Sequence, residues 1–193
     1  MKCLNILRLL PLIAVFIACL AARAPRAGEF PDDYFYFAAK RPQALRDMEG
    51  KAPPALTLKD WIGDKQELDK LKGKVVVVDF WATWCPPCRA ALPHNVEMFS
   101  KHKDDGLMII GVHDANRGAD KMAAMAKDKK INYPLSVDDG GKSTKAWNIS
   151  FWPTYFVIDR KGIVRAAGLD PESVDKVVAK LLKEDAAPAR PQQ

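Results

Sequence analysis

The sequence predicts an α/β fold in which helices flank a central mixed β-sheet, and three patterns support this prediction. A continuous β-branched run at residues 75–78 is typical of a central strand that is buried on both faces. Helical and strand-like patterns alternate after that run, as they do in sheets layered between helices. Two strand patterns, at residues 154–159 and 162–168, are separated by so short a turn that they indicate an antiparallel hairpin.

The remaining elements follow from local signals along the chain. Short apolar pieces between turn residues predict an N-terminal hairpin within residues 51–73. Asp170 followed by Pro171 is typical of a helix N-cap and first helical position, and predicts the last helix. An aromatic cluster at residues 30–37 is expected to pack onto the domain, and a contact surface is the alternative. Apolar periodicity predicts strands at 74–82, 107–113 and 133–137, and helices at 86–103, 118–130 and 143–148.

Residues 1–24 are typical of an export signal. Lys2 and Arg8 give a positive start, and the 14 residues at 9–22 are uncharged. A membrane-spanning helix needs about 20 apolar residues, so this run suits a cleaved signal better than an anchor. Cys19 leaves a lipoprotein signal open, with that cysteine lipidated, and a retained anchor is the third interpretation. All three predict export to the periplasm or to the outer face of a bacterial membrane, and the last two add a membrane tether.

Removal of that signal changes what the composition indicates. The formal net charge falls from +6 to +3, because three cations and no acid are lost, so no nucleic-acid partner is expected. Cys3 and Cys19 are lost as well, which leaves a single pair of cysteines, Cys85 and Cys88. What remains is a leader, one domain large enough for its own core, and an Ala/Pro/Gln-rich tail that is expected to be disordered. These are residues 25–50, 51–184 and 185–193.

The chemistry is expected at Cys85-Pro86-Pro87-Cys88, where a strand pattern ends and a helix begins. A thiol at a helix N-terminus is favoured as the thiolate, the form that attacks a disulfide. Cys85 is therefore the predicted nucleophile, and Cys88, one turn further on, is the predicted resolving thiol with which it can close a disulfide. Prolines have no N–H, so the two between the cysteines remove hydrogen-bond donors from the Cys85 sulfur. A less stabilised thiolate makes a weaker oxidant, which predicts a reductant.

Metal binding and a purely structural disulfide are the competing interpretations of the cysteine pair. Structural zinc needs four ligands, and the histidines His94, His102 and His113 are scattered, so no metal site is predicted. A two-thiolate copper(I) site stays open. A purely structural disulfide would close only a tiny loop and would contribute little to stability.

Three stretches taken together, residues 50–53, 73–89 and 152–159, resemble the TlpA/ResA-type extracytoplasmic thiol-disulfide oxidoreductases, which have the thioredoxin fold. The resemblance covers about residues 50–182. It implies a thioredoxin-like sheet with a central strand–helix insertion. It also implies that Cys85 is the nucleophile and Cys88 the resolving thiol.

The resemblance implies roles for further residues. Pro153 matches the cis-proline that faces the dithiol, and the backbone of Trp152 before it would pair with the substrate chain. Trp84 would shield one side of the site; either tryptophan could instead be a packing residue. Pro93 matches the proline that kinks the active-site helix. Thr154 stands where the cytochrome c maturation thioredoxins have glutamate, which weakens an assignment to heme-protein maturation but keeps Thr154 beside the substrate.

Asp79 lies inside an apolar strand pattern, where an ionised carboxylate is costly to bury, so its pKa is expected to be raised. It matches thioredoxin's buried aspartate, which exchanges protons with the resolving thiol and so implies a general acid/base role toward Cys88. An outward-facing aspartate is the alternative. Many proteins of this type have a glutamate three residues after the second cysteine, where this chain has Ala91, so proton handling is expected to depend on Asp79 alone.

The leading function hypothesis is an enzyme that reduces protein disulfides outside the cytoplasm. No cofactor is expected, because the sequence has no nicotinamide or flavin motif, so electrons would come from a membrane-embedded donor. A peroxiredoxin-like peroxidase is one alternative, although its T-x-x-C arrangement is missing because Thr83 is only two residues before Cys85. A copper(I) delivery protein is the other, although such proteins usually space their thiols as C-x-x-x-C.

Overall fold

A six-stranded mixed β-sheet forms the centre of the computed structural model, which describes residues 28–184. The spatial order of the strands is β1-β4-β3-β2-β5-β6. β2, β3 and β4 are mutually parallel, whereas β1, β5 and β6 each pair antiparallel with their neighbours. This confirms the predicted α/β fold and the antiparallel hairpin near the C-terminus. The strands are β1 Leu58–Ile62, β2 Val75–Trp81, β3 Leu107–His113, β4 Leu135–Asp138, β5 Thr154–Ile158 and β6 Val164–Leu169.

Five α-helices and several single 3₁₀ turns surround the sheet in the described part of the chain. The helix predicted after the first cysteine is present as the longest of them, and Pro93 lies inside it. The predicted cap at Asp170 belongs to the 3₁₀ helix Pro171–Ser173, where the Asp170 carboxylate accepts the Glu172 N–H. The last α-helix follows directly and begins at Val174, with Ser173 as its N-cap residue. The α-helices are α1 Gln43–Arg46, α2 Pro86–His102, α3 Met122–Asp128, α4 Lys142–Ala146 and α5 Val174–Lys183. The 3₁₀ helices are Asp32–Tyr34, Ala38–Lys40, Leu68–Leu71, Ala119–Lys121 and Pro171–Ser173.

Every side chain of β2 is buried, and successive side chains enter different cores. Val77 belongs to the core beneath α2 and α5, whereas Val78 belongs to the core that contains Leu45 and Trp147. The expectation of a strand buried on both faces is confirmed. Asp79 has the same parity as Val77 and therefore lies on the side covered by α2.

The hairpin predicted within residues 51–73 is wrong. β1 is the one strand that this stretch contains, and it pairs antiparallel with β4, with Leu58 opposite Asp138. The chain then continues into the 3₁₀ helix Leu68–Leu71 instead of turning back. Local apolar pieces and turn residues do not specify a strand's partner, and here the partner is far along the chain.

The leader is attached to the edge of the sheet at β6. Phe35 forms an isolated antiparallel bridge with Leu169, and the Tyr36 N–H donates to the Gly168 carbonyl oxygen at 3.1 Å. Phe30 and Phe35 are buried, as predicted for the aromatic cluster. Phe37 differs from that prediction, because 58% of its surface is exposed.

The predicted signal at 1–24, including Cys19, and the predicted tail at 185–193 lie outside the described residues. Between residues 28 and 184, no helix combines the length and the apolar character needed to cross a membrane.

A buried ion pair joins the leader to β6. The Arg41 Nη1 atom lies 2.6 Å from Oε1 of Glu49 and donates to the Ala167 carbonyl oxygen at 2.8 Å. The Ala167 N–H donates to the same Glu49 oxygen at 3.1 Å. Arg41→Ala is expected to lower the free energy of unfolding by about 3–5 kcal/mol, because it leaves the Glu49 carboxylate buried without a counter-charge.

Lys40→Ala is the matched control, because this neighbouring cation is exposed. Its replacement is expected to change the free energy of unfolding by less than about 0.5 kcal/mol. Urea unfolding followed by tryptophan fluorescence measures both variants. Equal effects in the two would contradict the role given to the buried pair.

Candidate active site

The two predicted cysteines form a disulfide at the N-terminus of α2. Their Cα atoms are 5.3 Å apart, and Cys85 is the N-cap residue of the helix. The Cys88 N–H donates to the Cys85 sulfur at 3.2 Å. Cys85 and Cys88 are only 3% and 2% exposed, so a partner must reach the sulfur atoms through a contact at this surface.

The prolines of the motif occupy the first two positions of α2. Neither Pro86 nor Pro87 has an N–H, so Cys88 supplies the first backbone donor of the helix, and that donor points to the Cys85 sulfur. The next N–H, from Arg89, donates to the Cys85 carbonyl oxygen at 3.1 Å. The helix therefore offers its N-terminal dipole to the sulfur but only a single direct hydrogen bond.

The loop before β5 carries the predicted cis-proline. The Trp152–Pro153 peptide bond is cis, as expected. Thr154 follows it fully buried, and its hydroxyl donates to the Phe151 carbonyl oxygen. The Thr154 side chain thus closes the loop on itself, whereas Trp152 is only partly buried.

The side chains of Trp84 and Trp152 contact each other, as expected if both lie beside the disulfide. Their ring centroids are 5.9 Å apart. The Trp84 Nε1–H donates to Oδ2 of Asp114 at 3.1 Å, and the guanidinium of Arg117 lies 4.2 Å from the centre of the Trp84 ring. These contacts fix the orientation of the Trp84 ring next to the nucleophile.

His113 supports the chain just before the motif. Its Nε2 atom accepts the Thr83 N–H at 2.9 Å, and its Nδ1 atom lies 2.8 Å from the Asp114 carbonyl oxygen, which fixes the proton on Nδ1. Burial lowers the pKa of His113, so the ring is neutral near pH 7. His113 is fully buried.

Asp79 is buried beneath α2 and belongs to a polar cluster inside an apolar core. Only 1% of it is exposed, and burial raises its pKa to about 8, although hydrogen bonding to Tyr155 and Asn95 opposes the shift. The Asn95 Nδ2 atom donates to Oδ2 of Asp79 at 3.1 Å and to the Tyr155 hydroxyl at 3.0 Å. The outward-facing alternative for Asp79 is therefore wrong, and the expected raised pKa is present.

Asn95 is a residue that the sequence reasoning missed. It follows Cys88 by seven residues, so the two lie on the same buried face of α2, and only 1% of Asn95 is exposed. A lone asparagine on the apolar face of a predicted helix was the available signal. Its amide donates to the Asp79 side chain, and this hydrogen bond favours the carboxylate form. Tyr155, opposite Asp79 in the β2–β5 register, completes the arrangement.

The histidines do not assemble into a metal centre. No group of three or more metal-ligating side chains occurs among residues 28–184. His94 lies 3.1 Å from Asp175, His102 lies 3.0 Å from Asp105, and His113 is buried by Trp81. Ala91, at the position of the missing glutamate, is buried and offers no proton-transfer group.

A thioredoxin-like sheet with a dithiol pair at a helix N-terminus and a cis-proline defines the chain as a thiol-disulfide oxidoreductase. A model of the AhpC/TSA family matches residues 49–167. The thiol-disulfide oxidoreductase ResA of Bacillus cereus is 33% identical over 135 residues, 70% of this chain and 72% of ResA. The thioredoxin-like protein YneN of Bacillus subtilis is 33% identical over 119 residues, 61% of this chain and 69% of YneN.

A solved structure agrees with these relatives. The crystal structure of a thiol:disulfide interchange protein of the thioredoxin family from Chlorobium tepidum TLS matches with a TM-score of 0.59 and 28% identity. The match covers 68% of this chain and 95% of that chain. The protein belongs to the AhpC/TSA family and, within it, to the ResA-type thiol-disulfide oxidoreductases of the thioredoxin fold.

Proposed function

We propose that this oxidoreductase reduces disulfides of proteins, with Cys85 as the nucleophile and Cys88 as the resolving thiol. The observation that carries the direction is the single N–H, from Cys88, that reaches the Cys85 sulfur. Each donor to that sulfur stabilises the thiolate and hence the reduced protein, which makes the pair more oxidising. With prolines at the first two helix positions, this stabilisation is small. The reduced protein is therefore a good electron donor.

The reaction takes two electrons from the protein dithiol. The Cys85 thiolate attacks one sulfur of the substrate disulfide, forms a mixed disulfide, and releases the other substrate sulfur as a thiolate that takes up a proton. Cys88 then loses its proton, and its thiolate attacks the Cys85 sulfur. The substrate leaves as a second thiol, and the Cys85–Cys88 disulfide seen in the structure is the oxidised product. An external dithiol reductant must return the two electrons.

The surrounding residues have distinct parts in this proposal. Asp79 accepts the proton from Cys88, which its raised pKa and its position under α2 support. Trp84 and Trp152 cover the sulfur atoms and flank the substrate chain. The backbone at Trp152, held by the cis bond to Pro153, pairs with that chain, and Thr154 keeps the loop in shape through its bond to Phe151.

The proposal places the reaction outside the cytoplasm. The positively charged start and the uncharged run of residues 1–24 support cleavage and export, and Cys19 supports a lipid tether as the alternative. The folded unit in this proposal is 51–184, preceded by the leader 25–50. A membrane-embedded dithiol donor would deliver the electrons, because they must come from the cytoplasmic side.

Equilibration with glutathione buffers tests the direction of the reaction. The reduction potential of the Cys85–Cys88 pair is expected to lie below the range of about −200 to −230 mV of glutaredoxins. Pro87→Ala adds an N–H near the Cys85 thiolate, and is expected to raise the potential by about 30 mV, the effect of about 1.4 kcal/mol. A wild-type potential above the glutaredoxin range would sink the reductase assignment. Pro54→Ala, away from α2, is the control and is expected to leave the potential unchanged.

A further inference from the structure

Aromatic side chains of the leader form a partly exposed cluster with the loop that carries the cis-proline. The ring centroids of Phe37 and Phe151 are 5.1 Å apart with the planes nearly perpendicular, and Tyr36 lies 5.6 Å from Phe151. Phe151 directly precedes Trp152, whose ring contacts Trp84. The aromatic rings of the leader therefore contact the residue that precedes Trp152 in the chain, and Trp152 contacts the residue beside the nucleophile.

The leader holds Phe37 outward against the tendency of a large apolar side chain to be buried. Phe37 is 58% exposed, more than any other large apolar side chain in residues 28–184. Its φ of 65° and the φ of 44° at Ala38 lie in the left-handed region, which is costly for residues other than glycine. The bonds of Tyr36 and Phe35 to β6 keep this turn in place. Exposure held by a strained turn indicates a contact surface rather than a packing surface.

A groove adjoins this aromatic cluster and begins at the active-site motif. Its volume is about 530 Å³, within the range of sites that take a ligand or a side chain. Tyr36 from the leader and four residues of α2 contribute to its lining. The lining residues are Tyr36, Pro87, Ala90, Ala91, His94, Asp170, Pro171 and Glu172.

The charge of the groove is negative. Asp170 and Glu172 are among its lining residues, whereas no lysine or arginine of the described chain is. Burial raises the pKa of Tyr36, and the negative charges of Asp170 and Glu172 add to this, so their field reaches the aromatic wall. A basic side chain complements such a groove.

We propose that this surface docks an extended segment of the substrate protein, with an apolar side chain against Phe37 and Phe151 and a lysine or arginine against Asp170 and Glu172. The inference rests on the proposed reductase function and names the class of disulfide that it favours. A cysteine in that segment would reach Cys85, because Pro87 of the active-site motif lines the groove.

Two synthetic peptides test the proposal. Each has one disulfide and an adjacent phenylalanine, and they differ in having lysines or glutamates next to it. The reduced wild-type protein is expected to reduce the lysine peptide with a kcat/KM about tenfold higher, mainly through KM. Glu172→Lys is expected to abolish this preference, and Phe37→Asn, which suits the left-handed turn, is expected to raise KM for both peptides several-fold. Glu97→Lys, an exposed site elsewhere on α2, is the control and should leave the preference as it is.

Four outcomes would overturn the docking surface. Equal kcat/KM for the two peptides would contradict it, and so would a preference for the lysine peptide that survives Glu172→Lys. In both cases, reduction of cystine by the wild type would still support the reductase function. A dimer detected by light scattering and lost in Phe37→Asn would show that the surface covers a second copy instead. A wild type that reduces neither the peptides nor cystine would remove the reductase function and the docking surface with it.

Discussion

Replacing Cys88 by alanine is expected to stop turnover and to leave Cys85 joined to substrate proteins through mixed disulfides. Beyond residue 24 the chain has no cysteine apart from these two, so nothing within the chain can resolve the adduct in this variant. An external thiol must then replace an intramolecular one whose effective concentration is far higher, and the steady-state rate is expected to fall by about 10³-fold or more. Dithiol-sensitive bands on a non-reducing gel, identified by mass spectrometry, measure the trapping.

Cys85→Ala is the matched control for this experiment. Both variants lack the Cys85–Cys88 disulfide, so any difference between them reports the nucleophile and not the loss of the cross-link. The control is expected to form no adducts, because Cys88 lies inside α2 and not at its N-cap, the position that favours the Cys85 thiolate. Adducts at equal levels in both variants would overturn the order of attack. A complete lack of adducts in Cys88→Ala, in cells with active turnover, would speak against protein disulfides as the substrates.

The sheet and the motif could be predicted from sequence because their signals are local. The β-branched run of β2 and the Cys-x-x-Cys spacing each indicate their structure within a few residues. Strand pairing is different, because it depends on contacts between distant segments. That is why the hairpin within residues 51–73 was wrong, and why the bridge between Phe35 and Leu169 could not be predicted.

The candidate site shows the same division. The burial of Asp79 could be predicted from the apolar strand around it, but its partners could not, since Asn95 and Tyr155 come from α2 and β5 and meet only when the layers pack. The cis bond at Pro153 required the family resemblance, because most bonds before proline are trans. The exposure of Phe37 differs from the packing expected for its cluster, because the hydrophobic pattern on which such predictions depend favours burial of a large aromatic side chain.

Asp79→Asn is expected to change the pH dependence of stability and to slow the resolving step. In the folded oxidised protein the pKa of Asp79 is about 8, whereas an aspartate in an unfolded chain titrates near 3.9. Between these values the folded state holds a proton that the unfolded state has lost. The contribution of protonated Asp79 to the free energy of unfolding is therefore fully present below pH ~4 and is lost as the pH rises to about 8. Over this interval the free energy of unfolding falls by up to about 1.4 kcal/mol per pH unit. Asp79→Asn should remove this slope from urea unfolding measured across pH 4–9.

The rate of the resolving step should change in the opposite direction with pH. An Asp79 carboxylate with a pKa of about 8 is mostly protonated at pH 7, so the fraction able to take the Cys88 proton increases up to pH 8 or slightly above. Stopped-flow measurement should show the wild-type rate rising through this interval, and Asp79→Asn should be slower by about 10²-fold or more and lack the rise. An unchanged rate would reject the acid/base role, and Asp104→Asn, at an exposed aspartate, is the control.

Asn95→Leu separates the proton-transfer role of Asp79 from a purely structural one. The Asn95 amide hydrogen bond favours the carboxylate form, so its loss should raise the pKa of Asp79 further and move the rate profile to higher pH. If Asn95 only filled space, its replacement would lower the free energy of unfolding without changing the pH midpoint of the rate profile. If the pH profile of the resolving rate and the pH profile of stability shift together, one group controls both. That group is Asp79, because it must release the proton that it holds in the oxidised core before it can accept the proton of Cys88.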